Sequence, residues 1–276
     1  MQKTFDVTGP IKVEIELASG DIDLDASLEG RAEVELVAHD EESQKLVDAA
    51  RVEFTNGRLL VDVPQKRSGF SLAIVFGRGG ITCRVRCPEG SDVTTRTKSA
   101  DVRVRGTIGA LSASTASGDA GADHVLGDAQ MKSASGDLAI ARADGGVTAQ
   151  TASGDIELGV VQGKVSANSA SGDVTIAEAY GDLDVNTVSG DQVHSAVMRG
   201  RVSAQAVSGD VLIGVRRGSK AYLDCSTVSG DTSSELDSID AAPTDDGPLV
   251  EIRAKTVSGD IRITRAHAPA TEEVQA

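Results

Sequence analysis

Apolar and polar residues alternate along this chain in short runs punctuated by glycine. In "GDIELGVVQGKVSANSASG" (154–172), Ile156 and Leu158 alternate with polar neighbours, and Val165 and Ala167 do the same after Gly163. The following stretch repeats the pattern with Val174 and Ile176, then Leu183 and Val185. Period-two alternation over four or five residues, bounded by glycine, predicts β-strands. Glycines at 154, 163, 172 and 181 leave no length for a helix between them.

The runs are copies of one unit. "TASGD" stands at 115–119 and 151–155, "SASGD" at 133–137 and 169–173, "TVSGD" at 187–191, 227–231 and 256–260, and "AVSGD" at 206–210. The motif serine falls at 117, 135, 153, 171 and 189, a spacing of 18 residues, and then at 208, 229 and 258 as insertions enter. A second glycine sits midway in each unit, at 109, 127, 145, 163, 181 and 200. Equal repeats with strands in register predict an all-β fold: a parallel β-solenoid, β-helix-like, of 18-residue coils with two strands per coil. Glycine is expected at the corners because a sharp reversal with φ > 0 costs little only there.

Aspartate follows only one of the two glycines. After the midway glycine come Asp128, Gly146, Lys164, Asp182 and Arg201; after the motif glycine come Asp119, Asp137, Asp155, Asp173, Asp191, Asp210, Asp231 and Asp260. Stacked repeats place these carboxylates in a column about 4.8 Å apart, where neighbours repel by roughly 1 kcal/mol in water. Something must offset that repulsion. The column is read as a structural one, its Ser and Asp side chains hydrogen-bonding the turn backbone. Calcium on the carboxylates is the alternative, but the double-glycine phrase of calcium-binding solenoids is absent, and no cofactor is expected.

Outside the repeats, "IKVEIELASGDIDL" (11–24) is one more unit of the same kind. "DEESQKLVDAA" (40–50) opens with acids suited to a helix N-terminus. "RVEFTNGRLLVDVP" (51–64) predicts a hairpin turning at Asn56-Gly57. Residues 1–95 are therefore expected to be a first strand unit and an N-terminal cap with a short helix and a hairpin. Residues 96–265 are expected to hold the repeats, with a loop at "PTDDGP" (243–248), and 266–276 a disordered tail. The stretch "SGFSLAIVFGRGG" (68–80) holds two of the four phenylalanines between glycines. Phe70, Leu72, Ile74, Phe76 and Arg78 form a candidate partner-binding loop, against the plainer reading of an edge strand packed over the end of the repeats.

Composition narrows the function. Aromatic residues are 2% of the chain and tryptophan is absent, so the interior must be thin and aliphatic. The net charge of −15 argues against direct binding of nucleic acid, which needs clustered Lys and Arg. Cys83, Cys87 and Cys225 make neither a CxxC nor a zinc pattern and read as reduced thiols. No run is long enough for a signal peptide or a membrane span, so a cytoplasmic protein is expected. His39, His124, His194 and His267 fall at unrelated repeat positions and suggest no triad. No enzyme is indicated.

The repeated Thr/Ser–Ala/Val–Ser–Gly–Asp turns, with "VEIELASGDIDL" (13–24) and "ITCRVRCPEGSDVTTRTKSADVRVRG" (81–106), resemble the bacterial toast-rack family of β-strand repeats, whose members are named as adhesin candidates. The resemblance spans residues 5–265. It implies a solenoid-like β fold, no established enzymatic activity, frequent association with envelope-stress or membrane-anchored proteins, and no catalytic residues to carry over. The reading that results is a non-catalytic scaffold or interaction protein offering a rigid face to an unidentified protein partner, monomeric or self-associating. A filament-forming structural element is the first alternative. An acidic mimic of DNA is the second, although Arg199, Arg201, Arg216 and Arg217 interrupt its charge.

Overall fold

The computed structural model describes residues 1–64, 80–236 and 248–266. The chain forms two compact units, Met1–Asp144 and Gly145–Ala276. The candidate loop residues Phe70, Leu72, Ile74, Phe76 and Arg78, nearly all of the loop at 243–248, and the tail beyond residue 266 lie outside the described residues.

The first unit holds β1 (Gln2–Asp6), β2 (Lys12–Ala26), β3 (Arg31–Ala38), α1 (Glu41–Asp48), β4 (Arg51–Thr55), β5 (Arg58–Asp62) and β6 (Ile81–Arg86). It continues with β7 (Asp92–Ile108), β8 (Leu111–Ser114), β9 (Ala120–Val125), β10 (Ala129–Lys132) and β11 (Leu138–Ala143). The helix and the hairpin occupy their predicted stretches. Asp40 caps α1 by accepting from the Ser43 N–H at 2.6 Å. Asn56 (φ 52°) and Gly57 (φ 74°) turn β4 into β5, the left-handed pair that a tight hairpin requires.

Strands β2 and β7 organise this unit. The first half of β2 pairs in parallel with β5 and its second half with β6, while β7 lies beside it along nearly its whole length. The first half of β7 then pairs with β8 and the second half with β9, followed by β10 and β11. Antiparallel strands complete the arrangement, with β3 between β6 and β1.

The second unit holds β12 (Val147–Ser153), β13 (Ile156–Val161), β14 (Val165–Ser171), β15 (Val174–Ala179), β16 (Leu183–Ser189) and β17 (Gln192–Val197). It ends with β18 (Gly200–Ser208), β19 (Val211–Val215), β20 (Lys220–Ser229), β21 (Thr232–Ser234), β22 (Leu249–Ser258) and β23 (Ile261–Arg265). Every ladder here is parallel. One wall runs β12–β14–β16–β18–β22–β20 and the other β13–β15–β17–β19–β23–β21. Stacking leaves chain order at its end, because the last repeat, β22–β23, inserts between β18–β19 and β20–β21.

These ladders correct the expectation of an open parallel β-solenoid with two separate strands per coil. The sheet is mostly parallel and nearly closed, like a barrel. Hydrogen bonds between repeats continue round the corners, from Gly154 N–H to Ser171 C=O (3.1 Å) and Ile156 N–H to Asp173 C=O (2.9 Å). The opposite corner carries Tyr180 N–H to Val161 C=O (2.9 Å) and Val165 N–H to Asp182 C=O (2.8 Å). In β2 and β7, of 15 and 17 residues, a single strand passes through the corner unbroken. The physical reason is that a glycine corner lets the backbone bend while its N–H and C=O groups stay aimed at the next repeat.

The interior is aliphatic, as the composition requires: Val165, Ala167, Val174, Val185, Val202 and Ile213 are fully buried. One layer departs from this. Gln192 and His194 occupy interior positions of β17 where the neighbouring strands place Val174 and Ile176 on one side and Val211 and Ile213 on the other. Both are fully buried. Gln192 Nε2 donates to Thr187 Oγ1 (3.0 Å) and to Gln205 C=O (2.7 Å). Gln192 Oε1 and both His194 ring nitrogens have no partner among the described residues. Burial disfavours the imidazolium and pulls the His194 pKa from 6.5 to about 4.

Two outcomes are expected. A methyl group added at Gly172 would stand 2.0 Å from the carbonyl oxygen of Gly154, one repeat away; Gly172→Ala should therefore cost at least about 1 kcal/mol in urea unfolding. His194 binds its proton only in the unfolded chain between pH 6.5 and about 4. Its contribution to stability is full above pH 6.5 and falls as the pH drops through that window, by about 3 kcal/mol in total. His194→Ile should flatten the stability profile between those pH values, and an unchanged slope would refute the assignment.

Candidate functional site

The repeated corner brings the chain's most regular chemistry to the surface. Its first residue points inward: Thr187 Oγ1 donates to Gly190 C=O (3.1 Å), and Thr256 Oγ1 to Gly209 C=O (3.3 Å). The second residue points out to solvent, and the motif glycine then packs against the preceding repeat. Close approach accounts for that glycine: at Gly136 an added Cβ would meet Gly118 O at 2.0 Å, although no left-handed φ is involved there.

The aspartates form columns in which each carboxylate accepts the backbone N–H of the next aspartate. In the first unit Asp119 N–H donates to Asp101 Oδ1 (3.1 Å) and Asp137 N–H to Asp119 Oδ1 (2.9 Å). In the second unit the chain of bonds runs Asp155, Asp173, Asp191, Asp210, Asp260, Asp231, each at 2.8 Å. The side chain thus staples one repeat to the next, where the sequence suggested a bond within its own turn. An N–H dipole aimed at each carboxylate offsets the repulsion along the column. Asp101 joins the column from "KSAD" (98–101), a degenerate copy of the motif in which Ala100 stands in the glycine's place, opposite Gly20.

The midway corner uses the same staple where it has the residue. Asp92 Oδ1 accepts from Ala110 N–H (3.0 Å) and Asp182 Oδ1 from Arg201 N–H (2.9 Å). Lys164 and Arg201 carry no acceptor for it, so the staple is not continuous along that corner.

Beside the second unit's aspartates stands an apolar stripe. Val188, Val207, Val257 and Val228 are 53%, 50%, 51% and 83% exposed. Their strands are in register through Ser189, Ser208, Ser258 and Ser229, so the four valines stand in adjacent repeats about 4.8 Å apart. The signal lay in the second motif position, which changes from alanine at 116, 134, 152 and 170 to valine from 188 onward.

Other candidates do not converge. Cys83 and Cys87 are free and buried, and burial pushes their thiols up to about 12 and about 11. His39 Nε2 meets Thr82 Oγ1 at 2.9 Å and His124 Nε2 meets Asp144 at 2.9 Å. Among the described residues no group of three or more His, Cys, Asp or Glu is arranged to hold a metal ion.

The staple predicts a contrast between two substitutions. Asp173→Ala leaves the Asp191 N–H without its acceptor and should cost about 1 kcal/mol. Asp173→Asn retains an oxygen there and should recover most of that loss in the same urea titration. Equal losses would show that the bond contributes nothing.

Solved structures with similar folds include an adhesin candidate from Bacteroides fragilis, 13% identical, with a TM-score of 0.44, covering 95% of this chain and 96% of that one. Another is a protein from Parabacteroides distasonis described as a candidate lipid-binding protein, 12% identical, with a TM-score of 0.41 and 96% of each chain covered. A third, also from Parabacteroides distasonis, is an adhesin candidate at 11% identity and a TM-score of 0.38, covering 95% of this chain and 96% of its own. No curated protein sequence matches the chain. The Toastrack DUF4097 family matches residues 11–264, which include every stapled corner, and the chain belongs to that family.

Proposed function

We propose that this chain is a non-catalytic interaction module that presents a rigid β surface to a protein partner. It is not an enzyme. The observation that carries the reading is the stripe of Val188, Val207, Val257 and Val228 held in register beside the stapled aspartates. An isolated exposed valine means little, but four in adjacent repeats make a contiguous apolar surface rimmed by charge. Such a surface suits an extended or helical segment carrying spaced aliphatic side chains and a basic flank. The wall behind it is hydrogen-bonded from repeat to repeat, so little ordering is required when a partner docks.

Among the described residues no helix is long and apolar enough to cross a membrane. Part of the proposal is that the partner belongs to the envelope-stress machinery and is met on the cytoplasmic side, in keeping with the associations of toast-rack proteins. The test is capture from native lysate with the wild-type chain and with Val188→Ser/Val207→Ser/Val257→Ser, whose fold is checked by circular dichroism. A protein retained by the first and lost with the second supports the module. Identical captures with both baits would remove the valine stripe from it.

A further inference from the structure

We propose that the exposed edge of β20 is a homodimer interface, in which two copies of this chain pair β20 with β20 in antiparallel fashion about a two-fold axis at Cys225. Strand β20 pairs on one side with β22, and among the described residues no strand pairs with its other side. Lys220 N–H donates to Pro248 C=O at 2.9 Å. Because backbone direction alternates along a strand, Ala221, Leu223, Cys225 and Thr227 turn their N–H and C=O groups toward the open edge.

The core ends incompletely at the same place. Val250, Ile252 and Ala254 in β22 are fully buried, whereas Ala221, Leu223 and Cys225, their register partners in β20, are only half-buried. An open edge with a partly uncovered apolar layer is a template for another strand. Among its described residues the first unit ends differently, in the antiparallel strands β1, β3 and β4.

The strand fits its own copy in the register centred on Cys225. Tyr222, 59% exposed, then lies opposite Val228 of the second copy, and Val228 opposite its Tyr222, an aromatic–β-branched pair made twice. Leu223 lies opposite Thr227, Ala221 opposite Ser229, and Asp224 opposite Ser226. A register centred one residue earlier would set Asp224 against itself. Cys225 meets Cys225 and Leu223 meets Thr227, so the residues that turn their backbone groups outward pair as antiparallel hydrogen bonding requires, up to Ser229, whose C=O accepts from Gly259 N–H. A two-fold contact uses the edge up in both copies, so association stops at two. Of the valine stripe only Val228 enters this contact; Val188, Val207 and Val257 play no part in it.

Sedimentation equilibrium of the full chain, from micromolar to hundreds of micromolar, tests the interface. The wild type should pass from monomer to dimer and no further. Tyr222→Asp/Val228→Asp sets like charges opposite each other twice and should weaken dimerisation at least tenfold; both positions are exposed in the monomer, so the fold should persist by circular dichroism. Tyr222→Lys/Val228→Asp makes the same pairs complementary and should restore the dimer. A wild type that remains monomeric, growth beyond a dimer, or a dimer indifferent to both variants would overturn the proposal.

Discussion

The close stacking of one corner on the next is the contact on which the rest of the molecule depends. A glycine with no room for a Cβ brings its backbone against the previous repeat, as Gly172 does against Gly154. At that distance the next aspartate's N–H falls within reach of the carboxylate below it, and the chain of 2.8 Å bonds from Asp155 to Asp231 follows. The ladders on both walls inherit their register from this contact. A slip of one residue would turn every interior valine outward.

That corner also divides labour between inside and outside. At Thr187 and Thr256 the inward hydroxyl returns to a glycine carbonyl, so burial leaves that polar group paired, whereas Ser133 and Thr151 hold the same position with hydroxyls that find no partner among the described residues. The outward residue is free of packing duties, and there the sequence moves from alanine to valine without disturbing the wall. The exposed valine stripe arises on the stapled edge because the staple consists of backbone and carboxylate, and leaves that position to vary.

The polar layer at Gln192 and His194 shows how much mismatch such a wall tolerates. The repeats on either side supply valine and isoleucine at the same positions, and the ladder to β15 keeps its register through this layer while that to β19 shifts between His194 and Val197. Partners for Gln192 come from Thr187 and Gln205, while His194 remains neutral in an apolar setting, at the cost of the hydrogen bonds its ring would make with water.

Strand positions, the 18-residue repeat, the cap helix, the Asn56-Gly57 hairpin and the aspartate column were legible in the sequence, because each rests on local periodicity or turn chemistry. Residues 98–101 were legible as a degenerate copy of the motif, but Asp101 was left out of the column because the motif's glycine is missing there. Tertiary structure alone decided that the sheet nearly closes, since closure depends on hydrogen bonds passing round the corners between residues one repeat apart. It decided as well that β22 inserts between β18 and β20, because identical motifs stack equally well in either order and no local pattern separates them. The direction of the aspartate bond, to the next repeat instead of to its own turn, was set by the spacing between repeats, a distance that no single copy of the motif contains.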